Sequence, residues 1–322
     1  MRTQRGFLFL GLVIMKFNKP ALSFDGQIAR LKERGLLVPD EAQARHYLGH
    51  LNYYRLCAYW LPFESDHSDH SFAKGASFDD VLNLYVFDRE LRLLVLDAIE
   101  RIEVSVRTQW AYQFSRSYGP HAHLDRTRFK TSKKNCCYKE MFDRLSQDVK
   151  SSKEVFIRHF RDKYEEDLPP LWAAVEVMSL GQLSRWFSCL AYRKDRNRVA
   201  RQYGLDESIL VSFLHHLSIV RNICAHHSRL WNRRITVSLK LPREAPSPLV
   251  DSLSRPGGKR DGRIYNTLVM VVWMLDVISP GHHFRQRLVS LLDDHKIDTS
   301  VMGFPGDWRF RPMWQCGPFS KS

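Results

Sequence analysis

Residues 77–110 read SFDDVLNLYVFDRELRLLVLDAIERIEVSVRTQW, and their apolar members recur at three- and four-residue steps. Val81, Leu84, Tyr85, Leu91, Leu94, Val95, Ala98, Ile99, Ile102, Val106 and Trp110 therefore share one face of a 3.6-residue helix. Ser77 with Asp80 three residues on supplies its start, and Gly119-Pro120 its stop. At 1.5 Å per residue a helix over this whole stretch would be about 60 Å long, so a bend or break along it is expected. No heptad is sustained, which excludes a coiled coil.

Outward from this segment the pattern is helix after helix. Ser23 can cap a short helix carrying Phe24, Ile28 and Leu31, with Gly35 as its stop. Asp40 can cap the next, through Leu51. The aromatic run Tyr53, Tyr54, Tyr59, Trp60 ends at Pro62, and the polar residues 65–76 read as a loop. Downstream, 121–152 is basic and irregular, with Lys130, Lys133 and Lys134 near its centre. Pro169-Pro170 opens a helix over 171–192 that Gly181 interrupts. Asp206 can cap a helix from Glu207 to about His226, its inner face made by Ile209, Leu210, Phe213, Leu214, Leu217 and Val220. Ile235 to Leu239 is a short candidate strand. The Pro/Gly-rich stretch 242–262 reads as loop, and two helices follow at 263–278 and 283–296. The Gly/Pro/aromatic tail from 303 is expected to pack as an irregular cap. The fold class is all-α, and with no repeat and no clear linker one multi-helix domain over 16–302 is the economical expectation.

Of the 322 residues 44% are hydrophobic, enough for a sizeable core, and the formal charge is +14. That surplus predicts attraction to polyanions, with nucleic acid the leading partner. The apolar run 7–15 follows Arg2 and Arg5 but lacks a cleavage site and is too short to span a bilayer. Residues 1–15 are expected to be a disordered lead or an over-long start, and no membrane partner is expected. Cysteines 57, 136, 137, 189, 224 and 316 show no framework spacing, which points to a reducing, cytoplasmic compartment. The paired histidines at 121/123, 215/216, 226/227 and 282/283 lack matching thiol or carboxylate spacings, so neither a metal nor another cofactor is expected.

Residues 221–227 read RNICAHH at the end of an amphipathic helix. RNA can be cut without a metal when its own 2′-OH attacks the neighbouring phosphorus. Such a reaction needs a group that moves protons near neutral pH, which suits histidine. It also needs a cation for the charge growing on the phosphoryl oxygens, which suits arginine. Asn222 and His226 are four apart and share a helical face, so Asn222 can orient the imidazole or bind a substrate oxygen. Arg221 lies about 140° round from His226 on an ideal helix; it must reach round or serve a site shared with a second subunit. His227 competes with His226 for the proton-transfer role. Arg229, Arg233 and Arg234 can hold flanking phosphates, as can His227, or form a solvated basic loop. Glu103 and Arg107 read as a surface i, i+4 pair. Glu176 can line the site or pack between helices, and the aromatics at 53–60 can stack bases or fill the core.

Arg221-Asn222-x-x-x-His226 resembles the Arg-x(4–6)-His signature of HEPN-superfamily ribonucleases. The block RNICAHHSRLWNR (221–233) resembles the corresponding block of Abi-like (abortive infection) proteins of D/F type. In the same order, KPALSFDGQIARLKERGL (19–36), LNYYRLCAYWLPF (51–63), LYVFDRELRLLVLDAIERIEVSVRT (84–108), WAAVEVMSLGQLSRWF (172–187) and MGFPGDWRFRPMW (302–314) are similar to that family too. The resemblance implies a bacterial phage-defence or toxin-like protein with a HEPN-like helical bundle, accessory N-terminal helices, and RNA cleavage by a homodimer. It also implies that an antitoxin, RNA or protein, can accompany it. Arg221, Asn222 and His226 would be the catalytic group. A non-catalytic RNA-binding or protein-interaction module on the same fold is the alternative. A metal-dependent DNA nuclease lacks a clustered Asp/Glu set.

Overall fold

The computed structural model describes residues 20–130, 137–255 and 262–315. The lead 1–15, Lys133, Lys134 and the end of the tail lie outside them. The described chain is all-α apart from one two-stranded hairpin and falls into two compact units, divided between Leu82 and Asn83.

The first unit holds α1 (Phe24–Glu33), α2 (Glu41–His50) and α3 (Tyr53–Trp60), then β1 (Glu64–Asp66) and β2 (Ser71–Phe72). Ser23 caps α1 by accepting from the Gly26 N–H, and Asp40 caps α2 by accepting from that of Gln43. Gly35, at φ +90°, takes the left-handed turn that ends the first helix. The hairpin replaces part of the loop expected at 65–76, with Phe72 as its buried anchor. Glu64, its side chain enclosed, accepts from Arg34 at 2.7 Å, and that guanidinium lies over the Phe72 ring at 4.7 Å. The Tyr59 and Trp60 rings are buried, while Tyr54 is exposed.

The long periodic segment is α4 (Phe78–Tyr118), assigned as one uninterrupted helix of 41 residues, so the expected break does not occur. Ser77 and Asp80 cap it reciprocally, the Ser77 N–H donating to the carboxylate and the Asp80 N–H to the hydroxyl. The division of the chain falls inside this helix, which is why no linker composition marks it.

In the second unit follow α5 (Tyr138–Ser151), α6 (Val155–Lys163), α7 (Leu171–Ala174), α8 (Leu180–Ser188), α9 (Arg193–Ala200) and α10 (Glu207–Ala225). The last three are α11 (Ser247–Ser252), α12 (Tyr265–Ile278) and α13 (Phe284–Asp294). Trp110 of α4, Trp186 of α8 and Phe129 meet in the core, with ring centroids 6.5 Å and 5.0 Å from Trp186. α10 packs along α8 and α9. It is long and apolar enough to cross a membrane, but half of that apolar window is buried inside the fold.

Four local expectations are corrected. α5 occupies the basic stretch read as irregular, because a narrow stripe of Met141, Leu145 and Val149 suffices to bury one face. The break in 171–192 comes at Met178, whose backbone is extended, before a capping box of Ser179 and Gln182; Gly181 sits inside the new helix. α11 forms within the Pro-rich loop. Residues 235–239 do not pair as a strand, since α10 side chains hold them instead. His216 Nδ1 donates to the Val237 carbonyl at 2.9 Å, and Ser212 accepts from the Lys240 N–H at 2.8 Å. The expected irregular cap is present: Trp308, Met313 and Trp314 are buried, and the Trp314 indole donates to the Tyr265 hydroxyl at 3.1 Å. Among the described cysteines Cys57, Cys137 and Cys224 are free, whereas Cys189 is disulfide-bonded, against the expectation of a chain without such bonds.

His123 is fully enclosed, and neither ring nitrogen has a hydrogen-bond partner among the described residues. Burial, and secondly the neighbouring His121, pulls its pKa from 6.5 down to about 3. The folded protein therefore resists protonation that the unfolded chain accepts. Stability should fall as pH drops below about 6.5, by about 1.4 kcal/mol per unit from this residue. Denaturant unfolding at about pH 7 and pH 5 should show a smaller acid loss in His123→Leu than in the parent, by about 2 kcal/mol. Equal losses would contradict the assignment.

Candidate functional site

Asp206 caps α10 by accepting from the Ser208 N–H at 2.9 Å, and buried Arg196 holds Glu207 at 2.6 Å. Ile209, Leu210, Phe213, Leu214, Leu217 and Val220 are all buried, so the helix is fixed along its length. Besides His215 at mid-helix, the exposed polar side chains gather at its C-terminal end: Arg221, Asn222, His226 and His227 are exposed. Four apolar turns thus deliver the motif to the surface on a rigid support.

His226 stands at the helix C-cap, its N–H donating to the Asn222 carbonyl at 2.9 Å. This keeps residues 222 and 226 stacked, as the spacing requires, and leaves the imidazole in the favourable field of the helix C-terminus. The Asn222 carboxamide turns towards Arg221: its Oδ1 accepts from the guanidinium at 3.3 Å. Among the described residues no side-chain bond joins Asn222 to His226. The Asn222 carboxamide thus contacts the arginine and not the imidazole. His227 follows in the left-handed region, at φ +56°, which turns the chain out of the helix. Cys224, inside the motif, is buried and its thiol is pushed up to about 12, chiefly by burial and then by Asp88. It stays protonated and is no nucleophile at neutral pH.

The segment after the motif is held from below. Asp88 of α4, fully enclosed, accepts from the N–H groups of Leu230 (3.0 Å) and Trp231 (2.6 Å) through Oδ1, and its other oxygen pairs with Arg92. Leu230 and Trp231 are buried, while Arg233 and Arg234 point to solvent. Arg229 lies 5.9 Å from the Trp231 ring centroid. Arg233 and Arg234 stand on the segment that leaves the motif, and among the described residues no hydrogen bond joins either to His226.

A second charged group approaches Arg221. Glu103 and Arg107 form their i, i+4 ion pair, but both are largely enclosed, and Arg107 also donates to the Met178 carbonyl at 2.6 Å. It is not the surface pair expected. Glu176 lies 3.5 Å from Arg107, so three residues from α4 and the α7–α8 junction form one cluster. Burial lifts the Glu103 carboxyl above the ordinary range, opposed first by Arg107 and then by Arg221, which places the motif arginine within the field of this cluster. Asp88, Glu103 and Arg107 are the residues that sequence reasoning underrated. Their signal was present as acid–arginine pairs at four-residue spacing, but not their burial. Among the described residues no group of three or more His, Cys, Asp or Glu side chains is placed to share a metal ion.

Together, fold and site define an all-α protein that exposes an Arg-Asn-x-x-x-His motif at the end of a helix whose inner face is buried in the core. The Abi-like protein family matches residues 46–232, more than half of the sequence, and the chain belongs to that family. The matched region ends just after the motif and the Asp88-bound segment. Neither a curated protein nor a solved structure matches the chain.

Proposed function

We propose that the chain is a metal-independent endoribonuclease of HEPN type, serving phage defence by abortive infection. The observation that carries this reading is the exposure of Arg221, Asn222 and His226 together at one end of a helix whose inner face is core. Arg221, held by Asn222, receives the phosphoryl oxygens, and His226 moves the proton of the attacking 2′-OH or of the leaving 5′-oxygen. The net charge of +14 supports RNA as the partner, with exposed Arg233 and Arg234 reaching flanking phosphates. Purified chain incubated with total RNA in chelator is expected to yield fragments with 2′,3′-cyclic phosphate and 5′-hydroxyl ends. RNA that is bound but left intact would return the chain to the class of RNA-binding modules.

In-line displacement needs one proton taken and another given on opposite sides of the phosphorus. Two copies related by a two-fold axis supply two imidazoles and two guanidinium groups to one cleft, so a homodimer is the working form. Light scattering at assay concentration should report a dimer. A monomer with full activity would sink the shared cleft. An antitoxin, RNA or protein, that covers Arg221 and His226 would fit the same reading.

A further inference from the structure

Large apolar side chains are rarely left half exposed in a cluster, yet Phe156 (41%), Tyr164 (49%) and Trp172 (55%) are, and all three line one open cleft. Its volume is about 590 Å³, within the size range of small-molecule sites. The wall is built rather than accidental. Phe156, Phe160 and Tyr164 follow at four-residue steps on and just beyond α6, the Phe160 and Tyr164 rings stacked at 5.1 Å and 25°. His121 closes the back, its ring 6.4 Å from Phe160. Glu176 stands at the other side of the cleft, and it is the residue that Arg107 ties to Glu103 in the field of Arg221. Glu176 thus belongs both to the cleft wall and to the ion-pair cluster of Arg107 and Glu103.

The chemistry of the walls restricts the occupant. Flat aromatic faces call for a flat ring. Two carboxylates in the lining, Glu166 and Glu176, repel phosphate and accept N–H donors. Only one Glu176 oxygen is engaged by Arg107, leaving the other for a ligand. Guanine presents N1–H and the N2 amino group side by side on one edge, whereas adenine and uracil place an acceptor next to each donor.

Resting on the ribonuclease reading above, we propose that this aromatic cleft is a guanine-binding subsite. It would take a base of the same RNA strand whose phosphate Arg221 engages. Guanine stacks on Trp172 and the Phe160–Tyr164 pair, and its N1–H and N2 amino group donate to Glu176.

The test uses full-length His226→Ala protein and short uridine oligonucleotides, 2′-O-methylated throughout, with or without a single guanosine or adenosine. Titration calorimetry should show guanosine tightening binding about tenfold over uridine alone, and adenosine less. Trp172→Ala should abolish that gain, bringing the guanosine oligonucleotide level with the all-uridine one. Trp172→Phe should keep most of it, and Glu176→Gln should level guanosine with adenosine. A guanosine preference that persists in Trp172→Ala overturns the proposal, as does equal binding of the three oligonucleotides. A Trp172→Ala change that shifts the monomer–dimer balance without RNA and leaves base preference intact also overturns it, by making the cleft a copy interface. The two readings fail separately. RNA cut without regard to guanine removes the subsite and leaves the nuclease, while guanine-selective binding without cleavage by the parent removes the nuclease and leaves the subsite.

Discussion

Arg221→Ala and His226→Ala are each expected to remove RNA cleavage while leaving helical content and unfolding midpoint close to those of the parent. Both side chains are exposed, and surface truncations of this kind usually change stability by only about 0.5 kcal/mol. Loss of a general acid–base group slows a reaction by about 10²–10⁴-fold, and loss of a donor to a developing oxyanion by about 10²–10³-fold. Asn222→Ala should be milder, and its cost should appear through the arginine, since the Asn222 carboxamide accepts from the Arg221 guanidinium. A gel assay on one labelled RNA separates the three variants. An undiminished rate in His226→Ala would move proton transfer to His227, one residue on at the left-handed turn.

Asp88→Ala should do more damage to the fold than any change in the motif itself. The substitution strips the enclosed Arg92 of its carboxylate and takes the acceptor from two buried N–H groups at Leu230 and Trp231. Removing one partner of a buried ion pair costs about 3–5 kcal/mol, a large part of the stability of an ordinary domain. Asp88→Asn keeps one acceptor oxygen and should fall between the two. Denaturant titration measures the loss. Unchanged stability in Asp88→Ala would show that the carboxylate does not hold the segment after the motif. Because Arg233 and Arg234 stand on that segment, RNA affinity in the folded fraction of Asp88→Asn should fall with stability.

The same helix shows how far residue spacing carries. Asp88–Arg92, Asp97–Arg101 and Glu103–Arg107 are three acid–arginine pairs at i, i+4 on α4, indistinguishable by spacing. Their side chains are 0% and 5%, 40% and 37%, and 15% and 14% exposed respectively. Burial is decided by partners far away in sequence, at Leu230 for the first and at Glu176 and Met178 for the third. No local rule contains that information. Caps are different, because their chemistry closes within four residues: Ser23, Asp40, Ser77 with Asp80, and Asp206 all act as their positions suggest. The motif was legible for the same reason, as Asn222 and His226 are joined through one helical turn. The bond from Arg221 to Asn222 was not, because adjacent residues on a helix point apart and only the long guanidinium stem brings them together. α5 escaped notice because its buried stripe is narrow and its remaining positions are polar.

In the proposed reaction the RNA's own 2′-OH is the nucleophile. One oligonucleotide made in two forms, differing only in a 2′-O-methyl group at a mapped cut site, distinguishes this from attack by water. In chelator, the unmodified RNA should be cut there by the parent and not by His226→Ala, leaving a 2′,3′-cyclic phosphate. The methylated RNA should stay intact at that position while binding equally well. Cleavage of the methylated position at an undiminished rate would contradict the mechanism, since the attacking oxygen would then have to come from water.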